Sequence, residues 1–245
     1  GLDSATDQLA QNQNRNKTNR ELIHNTNEKL SATESKMEAL RNITERYDGY
    51  GNSIRRVMEQ KQWNPGIIGV VADIITVNQK YEVAVETALG GSIQNIVTED
   101  DATAKRMISY LKTNRLGRAT FLPLNTITDR GSVRNDVLRE KGVIGVASDL
   151  VEVDSKFNTL VKNLLGKIIV VDNIDSALAV ARKNNQSLRL VTIEGELINP
   201  GGSMTGGAFR NSSNLLGRKR ELDELKEQID NLKSTASKAA ALDAQ

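Results

Sequence analysis

The 245-residue chain has no cysteine, one histidine and three prolines, and aromatics make up only 3% of it. Without cysteine there is no disulfide framework and no thiolate metal site. A Ser-His-Asp triad or a histidine metal centre would rest on His24 alone, in a polar stretch. No apolar run approaches the roughly 18 residues that cross a bilayer. No leader peptide shows at the start, so a cytoplasmic protein with no membrane partner is expected. A dominant charge is lacking too: 33 Lys+Arg stand against 31 Asp+Glu, a formal net charge of +2. Any nucleic-acid contact must therefore be local.

What is present is unevenly placed. All aromatics and prolines lie between Tyr47 and Phe209, and every glycine except Gly1 lies between Gly49 and Gly217. Glycine and proline mark turns and helix ends, so 1–47 and 218–245 read as helical arms around a globular body at 48–217. In the second arm Leu222, Leu225, Ile229, Leu232, Ala236 and Ala239 follow a 3-4 spacing. In the first arm Leu2, Leu9, Ile23, Leu30 and Met37 share a heptad frame. Its companion seam holds Asn12, Asn19, Thr26, Thr33 and Leu40. Both seams are narrow. A helix packed on a core shows a wider apolar face, so the arms are expected to pair antiparallel in one intramolecular coiled coil. At ~1.5 Å per residue the second arm reaches ~42 Å and the first up to ~70 Å, which leaves part of the first without a partner here.

The body is internally repeated. Gly66–Gly90 and Gly142–Gly166, 76 positions apart, share ten of 25 residues, among them Gly69, Val70, Asp73, Val77, Lys80 and Gly90. The likeness continues, with Ile96–Val97 resembling Val170–Val171. Helical patterns follow at Ala102–Leu111 and Ser176–Lys183, then strands at Arg118–Leu122 and Leu188–Ile193. Two halves, about 48–130 and 131–217, each alternate strand and helix. The fold class is α+β (mixed α/β), with the halves packed about a pseudo-twofold axis.

The strongest local feature is the run Asn199-Pro200-Gly201-Gly202-Ser203-Met204-Thr205-Gly206-Gly207. It lacks the lysine of a Walker loop and the GxGxxG spacing of a dinucleotide site. A plain loop is one alternative, and a nucleotide-binding enzyme built on this run is another. The third reading is close approach of a second backbone. Glycine beside a strand clears the way for another chain, and such an edge can add a strand from a second copy. If half one of one copy meets half two of the other, twofold symmetry repeats the contact. Gly90 and Gly91, after a helix, are further candidates for this contact, with a helix C-cap as the rival role for Gly90.

The combination resembles the hinge of a bacterial-type SMC chromosome-condensation ATPase. The likeness rests on Tyr47-Asp48-Gly49-Tyr50-Gly51, Ala88–Lys112, Gly117–Leu124, Val191–Ala208 and Leu215–Leu222. It implies a homodimer joining two long arms, a non-enzymatic piece with no cofactor or metal, and ATPase heads far along the arms. Kleisin and accessory subunits are expected only at those heads, and the parent protein is expected at the nucleoid. The family's paired glycines fall on Gly201, Gly202, Gly206 and Gly207. The resemblance also implies weak, sequence-independent DNA contact near the coiled-coil junction. Where some relatives carry a lysine cluster, this chain has Phe209-Arg210-Asn211. Arg55, Arg56 and Lys61 near the start of the body, with Arg218, Lys219 and Arg220 at its end, are the other candidates. Facing phosphates, they would give a salt-dependent affinity. The competing reading is a solvated face paired with Glu59, Glu221 and Glu224. A DNA-binding module whose dimerisation is incidental is the rival function.

Overall fold

The computed structural model describes residues 2–208 and 214–243. It divides into a helical unit, up to Arg46 and from Glu221 onward, and a body from Tyr47 to Arg220. Helix α1 (Leu2–Glu45) opens the chain. The first half of the body runs α2 (Asn52–Glu59), β1 (Ile67–Val70), α3 (Val71–Ile74), β2 (Thr76–Val77) and α4 (Glu82–Leu89). It continues with β3 (Ile96–Thr98), α5 (Asp101–Thr113) and β4 (Phe121–Pro123). The second half has α6 (Asn135–Leu138), β5 (Val143–Val146), β6 (Val151–Glu152), α7 (Asn158–Leu165) and β7 (Ile168–Val171). After these come α8 (Ile174–Lys183), β8 (Arg189–Thr192), β9 (Leu197–Ile198), β10 (Met204–Thr205) and α9 (Leu215–Asp243).

The repeat holds down to individual bonds. β1 runs antiparallel to β3, which runs parallel to β4; β5, β7 and β8 repeat that pattern. Both antiparallel ladders slip register at the same place, between Ile67 and Gly69 and between Val143 and Gly145. The Asn78 and Asp154 side chains accept the N–H of Lys80 and Lys156, and Asp100 and Asn173 cap α5 and α8. Lys80 lies over the Tyr81 ring as Lys156 lies over that of Phe157. Val70 pairs with Ile96 and Val146 with Ile169. Ile96 therefore corresponds to Ile169, one residue from the match read in the sequence. Through the parallel ladders Phe121 then corresponds to Leu190.

β2 and β6 join the halves. Thr76 pairs with Glu152, and these two positions are themselves repeat-equivalent. A rotation exchanging the halves carries this pair onto itself, so the pseudo-twofold axis passes through it. Beside it α4 and α7 bring Ala84, Val85, Leu160 and Val161 into one core shared by both halves. In β7 the side chains alternate, as a strand covered on both faces requires. Ile168 and Val170 enter the shared core, while Ile169 and Val171 face a second one built with Ala177, Val180 and Ala181 of α8.

The halves differ where each sheet ends. The first sheet stops at β4, in the order β1-β3-β4. The second adds a hairpin, in the order β10-β9-β8-β7-β5.

In the helical unit the two seams face each other. Ile23, Leu30, Met37 and Leu40 of α1 are shielded, as are Leu225, Ile229 and Ala239 of α9. Asn19 Nδ2 donates to the Ala239 carbonyl at 2.8 Å. Lys36 pairs with Glu221 at 2.9 Å and Lys233 with Glu34 at 3.2 Å. The helices run antiparallel, since rising numbers in one meet falling numbers in the other. Leu9 is 61% exposed. No helix among the described residues is long and apolar enough to cross a membrane.

Candidate functional site

Among the described residues the two larger sheets end in β1 and β4 and in β5 and β10; β1 and β5 are repeat equivalents, so β4 and β10 are the edges at which the halves differ. Each exposes alternate backbone groups. On β4, Thr120 O accepts from Ile96 N–H and Leu124 N–H donates to Thr98 O. Even-numbered residues thus face β3, and Ala119 and Phe121 turn their N–H and C=O outward. Pro123 falls on the outward series, where its missing N–H costs the sheet nothing. On β10, Ser203 O accepts from Asn199 N–H at 2.9 Å. Ser203 and Thr205 therefore face β9, while Met204 and Gly206 face outward. Met204 is 53% exposed.

The glycine run is a hairpin with one free side. Gly202 N–H closes on Asn199 O, with Pro200 and Gly201 between them. Gly201 has φ +89°, so this is a type II turn, whose third position needs a left-handed residue. The first glycine pair thus has a duty within its own chain. Gly207, with φ +123°, has nothing within 4 Å of where a Cβ would stand. Gly90 closes α4 as its C-cap at φ +52°. Gly91 lies outside the left-handed region and also has open space around it. It borders the same hollow as Arg118, Ala119 and Thr120, which lead into β4.

The basic candidates behave differently from one another. Leu215 and Leu216 are buried in the body's core, and Asn214 caps α9 by accepting Gly217 N–H. A Cβ on Gly217 would collide with that Asn214 side chain. The next three residues turn inward. Arg218 Nη1 donates to Asp48 O at 2.6 Å, and Lys219 Nζ donates to Thr76 Oγ1 at 2.9 Å. Arg220 pairs with Glu82, whose side chain is 9% exposed. Their cationic ends hold the exit of the body in place. Arg56 pairs with Glu59 at 3.1 Å and Lys61 donates to Ile68 O at 2.7 Å, while Arg55 is exposed. Arg210 lies outside the described residues.

Sequence reading missed the group that fixes the opening turn, although Asp73 is one of the repeated positions. Tyr47 OH donates to Asp73 Oδ2 at 2.9 Å and Val70 N–H donates to the same oxygen at 3.1 Å. Tyr47 and Tyr50 pack edge to face at 5.2 Å. Lys61, Lys219, Tyr47 and Asp73 line a hollow of about 720 Å³. Burial pushes the Asp73 pKa up, against the lowering pull of the Val70 and Tyr47 hydrogen bonds and of Lys61 and Lys219. Burial, followed by the Asp73 charge, also raises the Tyr47 pKa, so its hydroxyl remains a donor. Because the folded state holds the Asp73 proton more tightly than the unfolded chain, ionising this carboxyl costs stability. That cost is absent below the unfolded pKa and complete above the folded one. Asn at this position keeps the accepting oxygen. Asp73→Asn is therefore expected to raise the thermal midpoint relative to wild type more at pH 7 than at pH 4. A difference that does not change with pH would overturn this.

The body has known relatives. The family model described as the SMC proteins Flexible Hinge Domain matches residues 64–181. An asymmetric dimer of the Geobacillus stearothermophilus SMC hinge domain superposes with a TM-score of 0.90 at 33% identity, covering 96% of each chain. The Pyrococcus furiosus Smc hinge domain with an extended coiled coil gives 0.53 at 28% identity, over 99% of this chain and 94% of that one. The chain belongs to the SMC hinge-domain family. Within that family it is similar to the chromosome partition protein Smc of Desulfitobacterium hafniense. The two are 39% identical over 232 residues, 92% of this chain and 19% of the relative. The chain thus spans about a fifth of the length of that curated relative.

Proposed function

We propose that this chain is the homodimerisation hinge of a chromosome-partition ATPase, and that the open edges of β4 and β10 make the contact. In this reading β10 of one copy lies along β4 of the other, and twofold symmetry repeats the pairing. One observation carries it. β4 is the repeat equivalent of β8, and β8 already holds a strand, β9, on the side that β4 leaves bare. The glycine-rich run at Gly201, Gly202, Ser203, Met204, Thr205, Gly206 and Gly207 then forms one side of the contact. Gly91, beside the lead into β4, and its neighbour Gly90 belong to the other. The piece itself does assembly rather than catalysis and takes no cofactor. Heads, ATP hydrolysis and kleisin lie elsewhere in a longer, nucleoid-associated cytoplasmic protein.

DNA contact is the second part of the proposal, and inward-turned Arg218, Lys219 and Arg220 move its centre to Arg55 and Arg56. These lie on the solvent side of α2. Sedimentation with and without a short DNA duplex tests both parts. The chain alone is expected at twice 26.9 kDa, and a monomer at high micromolar concentration would overturn the dimer. Co-sedimentation is expected to fall steeply between about 50 and 200 mM salt. Salt-independent binding would argue against phosphate contacts.

A further inference from the structure

A second hollow, of about 470 Å³, lies at the starts of β7 and β8. Arg130, Arg134, Lys167 and Arg189 line it, and no carboxylate does. Arg189 Nε is buried with no hydrogen-bond partner. Arg134 is satisfied by Asp136 and Asn184, and nearby Asp129 accepts the N–H of Gly131. Arg130, Lys167 and Arg189 have no acidic partner among the described residues. Val133, Leu164 and Leu188 supply apolar walls, and low-dielectric walls strengthen both the repulsion among these cations and their pull on an anion.

The repeat shows that the fold does not require this charge. By strand register, Lys167 and Arg189 correspond to Gln94 and Thr120 in the first half. Gln94 and Thr120 line the matching hollow there, where Arg118 is the one cation among the lining residues. The same strand ends are thus built with neutral residues in one half and with a concentrated positive charge in the other.

We propose that the second-half hollow is a binding site for a compact polyvalent phosphate, either inorganic pyrophosphate or the polyphosphate group of a nucleotide. Four cations around one hollow match several negative charges better than a single carboxylate. Arginine forks fit phosphate oxygens two at a time, and the unpartnered Arg189 Nε–H is one such donor. Ser132, Ser187 and Asn163 add neutral polar groups. No aromatic side chain lines the hollow, so the site reads phosphate and ignores the base.

Titration calorimetry of the intact chain at about 50 mM salt tests this, with pyrophosphate, ATP and adenosine as separate probes. Pyrophosphate is expected to bind saturably, one per chain, with Kd below about 1 mM. Equal affinity for ATP identifies the phosphate group as the shared ligand, and adenosine is expected to give no heat. Arg130 and Lys167 are exposed, so R130A/K167A keeps the fold and is expected to weaken binding at least tenfold. K105A/K112A, two exposed lysines of α5, is expected to bind as wild type. No saturable heat, adenosine heat, or equal loss in both double variants would overturn the site. The dimer mass is read separately, so failure here leaves the hinge reading intact.

Discussion

Met204→Pro is expected to give a folded monomer. The outward N–H of Met204 is not used by β9, and proline is tolerated on an edge strand at such a position. In the proposed dimer that N–H is a ladder donor, present twice by symmetry. Losing it leaves an acceptor unsatisfied at each contact, about 1–3 kcal/mol apiece. The sum of about 2–6 kcal/mol is roughly a 30-fold to 20,000-fold rise in Kd. Thr205→Pro is the control. Its N–H faces β9, so proline there breaks the hairpin itself and lowers the thermal midpoint. Gly91→Glu probes the other side of the contact, since a Cβ there has nothing of its own chain within 4 Å. It is expected to separate the copies at an unchanged midpoint. A Met204→Pro dimer of wild-type Kd would sink the edge-to-edge pairing.

The repeat was legible because its identities are dense and ungapped between Gly66 and Gly90. The equivalence was lost by one residue at β3, where the offset falls from 76 to 73 and short Ile-Val strands look alike in any frame. The arm seams were legible because a heptad is local, and the antiparallel pairing of Asn19 with Ala239 follows from it. The glycine run showed that a backbone was bare but not why. Gly201 serves a turn within its own hairpin, and only the strand register shows that the free groups belong to Met204 and Gly206. Arg218, Lys219 and Arg220 looked like a free basic cluster because their acceptors, Asp48 O, Thr76 and Glu82, lie more than a hundred residues away. No local pattern announces such partners. For the same reason Arg189 passed unnoticed as one cation among 33.

Arg220→Ala is expected to be the most damaging single change at the exit of the body. Glu82 is buried in the first turn of α4, and Arg220 is its ion-pair partner. Truncating one member leaves a buried charge without its counter-ion, which costs 3–5 kcal/mol when both are fully buried. Arg220 keeps 23% of its side chain exposed, so about 2–4 kcal/mol is expected here. For a body of this size that is roughly 5–15 °C in thermal midpoint. Arg220→Met with Glu82→Met removes both charges, and most of the loss is expected to return, as apolar replacements of buried pairs do. Denaturant unfolding of the single and double variants measures this. Near-neutral Arg220→Ala and Glu82→Ala variants would show that the pair carries no stability. The buried Glu82 also limits which basic residues can be reversed without harm to the body. Reversing Arg218, Lys219 and Arg220 together places acids against Glu82 and removes three bonds to the body, so lost binding would report a damaged exit. Arg55→Glu with Arg56→Glu changes charge on an exposed face and breaks only the pair with Glu59, which leaves DNA affinity as the quantity that moves.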